Sequence, residues 1–109
     1  MIIEARDDTL SLSGSFYDNQ WPTLEGAVRY LLKNNRKGII VDCAGMTMAA
    51  DAGARTFLEA LRNAASQGWR VLFVNLPEEL LLQIRSTPGL RSQLPIAASV
   101  EEARRSLEV

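Results

Sequence analysis

The stretch from Gly38 to Leu61 constrains the fold of this chain more than any other. Gly-Ile-Ile-Val-Asp-Cys (38–43) is a short apolar run that reads as a buried strand ending in a carboxylate. Small residues, Ala44-Gly45-Met46-Thr47-Met48-Ala49-Ala50, read as a loop. Asp51-Ala52-Gly53-Ala54 then opens a helix, about 52–67, whose apolar residues fall at 54, 57, 58, 61 and 65. Asp is among the best N-caps, worth about 1 kcal/mol over alanine. Asp51 therefore has a structural role before any other is considered.

The flanking sequence extends this unit in both directions. Met1 to Arg6 and Thr9 to Gly14 read as two strands joined by a tight turn at Asp7-Asp8, with Leu10 and Leu12 alternating against Ser11 and Ser13. Residues 14–20 read as a polar loop. A helix follows from Trp21, with Pro22 in its first turn and Leu24, Val28, Leu31 and Leu32 at helical spacing, ending in Lys33-Asn34-Asn35-Arg36-Lys37-Gly38. Trp69 to Asn75 reads as another apolar strand. Pro77-Glu78-Glu79 starts a third helix, with acids where the macrodipole favours them. Three consecutive leucines, 80–82, occupy one of its turns, so one of them is expected to face outward. Leu94-Pro95-Ile96 suits an edge strand, because proline cannot donate to an inner ladder. Ser99-Val100-Glu101-Glu102 is a capping box for a last helix. The order implies an α/β class, with a mixed sheet of four to five strands, later strands parallel, and about four helices.

Composition narrows the chemistry. With 109 residues and 47% hydrophobic content, the chain suits one compact domain, residues 1–109, around one core. Twelve basic and 13 acidic residues leave a net charge of −1 and no long charge run, so nothing electrostatic points to nucleic acid or an anionic membrane. No apolar run approaches the about 20 residues of a membrane span. The N-terminus lacks the pattern of a secretory signal, and with the lone Cys43 this points to the cytoplasm. There is no histidine, so nucleophile–imidazole pairs and imidazole metal ligands are excluded, and one cysteine cannot build a thiolate zinc site. Only Lys33 and Lys37 supply lysine, both in a polar turn. No cofactor is implied, and an enzyme is not expected.

Four segments together resemble the STAS domain family, whose founding members are bacterial anti-sigma-factor antagonists. Leu12-Ser13-Gly14-Ser15-Phe16 resembles the family's turn before the first helix, and Gly38-Ile39-Ile40-Val41-Asp42 its central strand. Residues 53–61 are similar to the helix after its Asp-Ser-Ser-Gly-Leu motif. Asn75-x-Pro77, Gly89-Leu90 and Ser99-x-x-Glu102-Ala103 resemble its closing elements. The resemblance implies a protein–protein interaction module that regulates a partner such as an anti-sigma kinase. Alternatively it implies a structural subunit of a stress-signalling assembly or of a complex with a transporter ATPase, or a small-ligand sensor.

The same resemblance locates a departure. Aligning Gly53 with the motif glycine turns Asp-Ser-Ser into Ala50-Asp51-Ala52, and puts Asp51 at the phosphoacceptor position. An alternative register needs a one-residue deletion and places Ala52 there; neither supplies a hydroxyl. Asp51 would then be a fixed negative charge, with one unit against about 1.5–2 for a phosphate. Thr47 and Thr56 are the nearest hydroxyls. The partner face implied by the resemblance comprises Thr47, Met48, Asp51, Ala52, Arg55, Thr56 and Glu59, and extends to the 14–20 loop. For Arg55–Glu59 and Glu59–Arg62 the spacing also allows plain surface ion pairs. Asp42 reads as a turn or cap carboxylate. Asp7-Asp8 invites comparison with phospho-receiver domains, but a strand follows that pair where a receiver needs a helix, and 94–99 holds no lysine. No glycine-rich phosphate loop is visible.

Overall fold

The computed structural model describes residues 1–48 and 51–108; Ala49, Ala50 and Val109, and the side chains of Asp18, Asp51, Ala52 and Glu108, lie outside the described residues. Four strands form one sheet in the order β1-β2-β3-β4. β1 (Ile2–Arg6) and β2 (Thr9–Phe16) are an antiparallel hairpin, turned by Asp7 in a left-handed conformation with φ of 54°. β3 (Ile39–Met48) and β4 (Val71–Val74) each add in parallel. Between them run α1 (Trp21–Asn34), α2 (Asp51–Ser66), α3 (Glu78–Ser86) and α4 (Val100–Glu108), with single 3₁₀ turns at Asp18–Gln20 and Arg91–Gln93. The α/β class, mixed sheet and four helices agree with the sequence reading. Leu94–Ile96 contributes a single parallel bridge from Ile96 to Phe73 rather than a fifth strand, and Phe73 donates its N–H to the Pro95 carbonyl at 2.8 Å.

One face of the sheet carries the main core. Leu10 and Leu12 of β2, Ile39, Val41 and Cys43 of β3, and Val71 and Phe73 of β4 meet Leu24 and Val28 of α1, Phe57 and Leu61 of α2 and Leu80 and Ile84 of α3. Phe57 sits between Phe16 and Phe73, edge-on to each, with ring centroids 5.2 and 5.7 Å away. On the opposite face α4 lays Ala103 and Leu107 over Ile40 and Val74. The stripe of α2 is Ala54, Phe57, Leu61 and Ala64, with Ala60 also buried; Ala65, expected within it, is exposed because helical phase carries it off the face. Leu82 is the outward leucine of α3, at 54% exposure.

Three contacts fix the end of the sheet where β3 begins. Gly38 has φ of 119°, and a Cβ there would stand 2.5 Å from the Arg70 carbonyl oxygen, so only glycine fits. Arg70 donates from Nε to the Lys37 carbonyl (2.8 Å) and from Nη2 to the Leu107 carbonyl (3.0 Å), tying α4 to the entries of β3 and β4. Arg104 reaches back to Asp8 at 3.1 Å. Partial burial opposes ionisation of Asp8, but hydrogen bonds from Arg104 and Thr9 and the Arg104 charge outweigh it. Its carboxyl is held below the usual carboxylate range.

Candidate functional site

The site is built around the far half of β3. Residues 44–48, expected as a loop, continue the strand, and so do Gly14 to Phe16 of β2, with Ser15 opposite Thr47 and Phe16 opposite Met48. A bulge makes this possible. Ser11 pairs with Asp42 and Ser13 with Gly45, so Cys43 and Ala44 together stand opposite Leu12. The extra residue switches which parity faces the core: Ile39, Val41 and Cys43 point inward before it, and Met46 and Met48 after it. Met46 and Met48 are the trace the strand leaves in the sequence, and the bulge breaks their continuity with the alternation before it.

Asp42 sits at the division. Its Oδ1 accepts the Ala44 backbone N–H and an N–H of the Asn75 side-chain amide, each at 3.0 Å. Asn75, immediately past the end of β4, takes a left-handed φ of 56°, a conformation asparagine tolerates. The carboxylate therefore brackets the bulge and the exit of β4, which matches its reading as a turn carboxylate. Cys43 beside it is fully buried, and that burial, with the Asp42 charge adding to it, pushes its thiol far above the ordinary range.

Beyond Asp42, β3 has no β4 partner, since β4 pairs only with Ile39 to Asp42. Ala44, Gly45 and Thr47 are exposed there, Met46 is buried and Met48 is half-buried. Thr47 is a strand residue, and its Oγ1 lies 3.4 Å from the Ser15 hydroxyl. Ser15 lies in the 14–20 segment to which the expected partner face extends, here as a strand residue rather than a loop residue. The neighbouring 14–20 segment is strand to Phe16, then exposed Tyr17 and the 3₁₀ turn, which packs on α2.

α2 is helical from Asp51, one residue ahead of the start that would have made Asp51 a cap. Ala50 and the Asp51 and Ala52 side chains lie outside the described residues. Gly53 explains why this corner demands a small residue: a Cβ would stand 3.1 Å from the Phe16 carbonyl oxygen, so its absence lets the helix close on the end of β2. Thr56 is half-buried, while Arg55 and Glu59 are exposed. Arg55 and Glu59 join Leu58, Arg62, Thr87 and Leu90 around a 200 Å³ cleft. The expected Arg55–Glu59 and Glu59–Arg62 ion pairs do not form among the described residues, where the ion pairs are Arg29–Glu25, Arg85–Glu78 and Arg104–Asp8. Both alternatives leave long, solvated side chains that gain little from pairing at the surface. Thr47 and Met48 thus belong to a strand edge, and Arg55 and Glu59 to a helix cleft.

Among the described residues no three His, Cys, Asp or Glu side chains gather as a metal site, and no helix is long and apolar enough to cross a membrane.

Comparison with known proteins gives the arrangement a family. No curated protein matches the sequence significantly. Among solved structures, a serine-to-glutamate variant of Moorella thermoacetica RsbS superposes with a TM-score of 0.60 at 14% identity, covering 98% of this chain and 93% of that one. A Thermotoga maritima protein described as an anti-sigma factor antagonist gives 0.61 at 14% identity, covering 99% and 94%. A structure of the stressosome, described as a signal integration and transduction hub, gives 0.54 at 16% identity, covering 98% and 96%. These likenesses share the fold seen here. Residues 3–91 match the family model described as "Mlab, STAS domain", and the chain belongs to the STAS domain family.

Proposed function

We propose that this STAS domain acts by docking on a protein partner, without catalysis of its own. The docking surface comprises the exposed end of β3 with Thr47 and Met48, the start of α2 with Asp51, Ala52, Arg55 and Thr56, and Glu59 one turn further. The observation that carries this reading is the run of β3 past the end of β4. It leaves a two-stranded, polar and small-residue rim next to a helix whose Arg55, Glu59 and Arg62 make no ion pair among the described residues. The lack of histidine and the buried, hard-to-ionise Cys43 support a binding role over chemistry.

Asp51 acts in this reading as a permanent charge where relatives of the family switch one on. Its place at the first residue of α2 suits an acid, because backbone N–H groups converge there. The partner presents a basic residue opposite, since a permanently charged antagonist would otherwise be permanently idle. An anti-sigma kinase is the partner class that the antagonist-like neighbours support. A second reading, a structural subunit of a stress-signalling assembly or a transporter complex, draws support from the stressosome likeness and the MlaB-type match.

The test has two arms. Incubation with Mg-ATP and candidate anti-sigma kinases leaves the intact mass of the parent unchanged, whereas Asp51→Ser gains one phosphate. Stoichiometric phosphate on Thr47 or Thr56 of the parent would sink the fixed-charge role. In affinity purification from the native host, Arg55→Glu loses the partner and Lys37→Glu, at the opposite end of β3, retains it. Equal recovery by both variants removes the docking surface from consideration.

A further inference from the structure

A cleft on the sheet's C-terminal side shares only Ala44 with the exposed end of β3, and its charged lining has one electrostatic sign. It encloses 510 Å³ beside the exit of β4, within the size range of small-molecule sites. Leu76, Leu81 and Ile96 give it an apolar floor. Arg85 and Arg91 enter from α3 and from the 3₁₀ turn after it, and no acidic side chain lines it. Ligand sites in sheets with parallel strands favour the carboxyl ends of those strands, which is where Asn75 and Ala44 place this one.

The geometry points to a binding site for a small organic anion, with a phosphate or carboxylate head and an apolar body. Both guanidiniums are available for such a head. Arg91 has no ion-pair partner among the described residues, and Arg85 meets only the exposed Glu78, at 3.5 Å. Asp42 is not among the lining residues; its Oδ1 accepts hydrogen bonds from the lining residues Ala44 and Asn75, which leaves the two guanidiniums as the charged groups of the cleft. Arginine forks match phosphate and carboxylate oxygens in pairs, and the leucine and isoleucine floor has no use for a bare inorganic ion. Space for the body comes from Ala44, Ala97 and Ala98, where any larger side chain would narrow the cleft. This site does not rest on the docking reading, and the failure of either leaves the other standing.

Titration of the full chain with 1-naphthyl phosphate, followed by amide chemical shifts, tests it. Saturable shifts are expected at Ala44, Asn75, Ala97 and Ala98. Arg85→Gln and Arg91→Gln should each weaken Kd roughly tenfold, the scale of one charged hydrogen bond. Ala98→Leu, at an exposed position that leaves folding untouched, should abolish the shifts. Inorganic phosphate alone and 1-naphthol alone should both bind more weakly than the combined probe. Absent saturation, an unchanged Kd in Arg91→Gln, or 1-naphthol binding as tightly as its phosphate would overturn the assignment. So would saturation of the cleft by an acidic peptide under conditions where naphthyl phosphate leaves it empty.

Discussion

The two halves of β3 are one strand in the backbone and two different materials in what they do. Up to Asp42 it is central, paired with β4 from Ile39 and with β2 from Ile40, and Ile39, Ile40 and Val41 are fully buried. From Ala44 to Met48 it is held by β2 alone, and its exposed residues are small or hydroxylated. The bulge and the Asp42 carboxylate separate them. A central strand with both faces covered must be apolar throughout, whereas a projecting end needs only enough inward side chains, here Met46 and Met48, to stay seated. One half specifies the fold, and the other is free to specify a partner.

Substitutions along the strand can break that division. Ile39→Ala removes a fully buried side chain of the main core and should cost about 3.5 kcal/mol by denaturant unfolding. Thr47→Ala should change stability by less than about 0.5 kcal/mol in the same assay. Similar costs for the two would erase the distinction. Asp42→Ala tests the bracket itself: losing the bonds to Ala44 and Asn75 should cost about 1.5 kcal/mol. Amide exchange should then quicken from Ala44 to Met48 while 39–41 stay protected. Uniform exchange along the strand would mean the halves are not separable.

Charge at the projecting end has a smaller expected effect, read in binding. Thr47→Glu should weaken the partner recovered by affinity purification about tenfold, ~1.4 kcal/mol, with the melting temperature unchanged. A small, pH-dependent effect lies at the opposite end, in the Asp8–Arg104 pair. A lowered carboxyl pKa means that its contribution is complete above the unfolded-state value, about 3.9, and is lost as pH falls through the lower folded value. Asp8→Asn should therefore be about 0.5 kcal/mol less stable than the parent at neutral pH. The two should converge as the pH falls below the folded-state value, and a gap that widened in acid would contradict the pairing.

The sequence showed the buried half of β3 far better than the projecting half. Ile39 to Val41 announces itself by unbroken apolar character, and the helix after it by spacing, because burial acts on side-chain type directly. Residues 44–48 were hidden by their composition: alanine, glycine and threonine have no strong strand signal, and a bulge breaks the alternation that would reveal Met46 and Met48 as inward. Thr47, Arg55 and Glu59 were found as candidates through family motifs, yet their surroundings were not. The Ser15 hydroxyl beside Thr47, and Thr87 and Leu90 across from Arg55 and Glu59, come from elsewhere in the chain, and no local pattern encodes such meetings. The arginine-lined cleft escaped for the same reason, since Arg85 and Arg91 read singly as surface charges.

Cys43 turns this architecture into a clock. Its sulfur lies next to the bulge, inaccessible in the closed sheet, and it is the chain's single cysteine. A thiol reagent can reach it only when the centre of the sheet parts. Its labelling rate therefore reports how often β3 comes free, without any introduced probe.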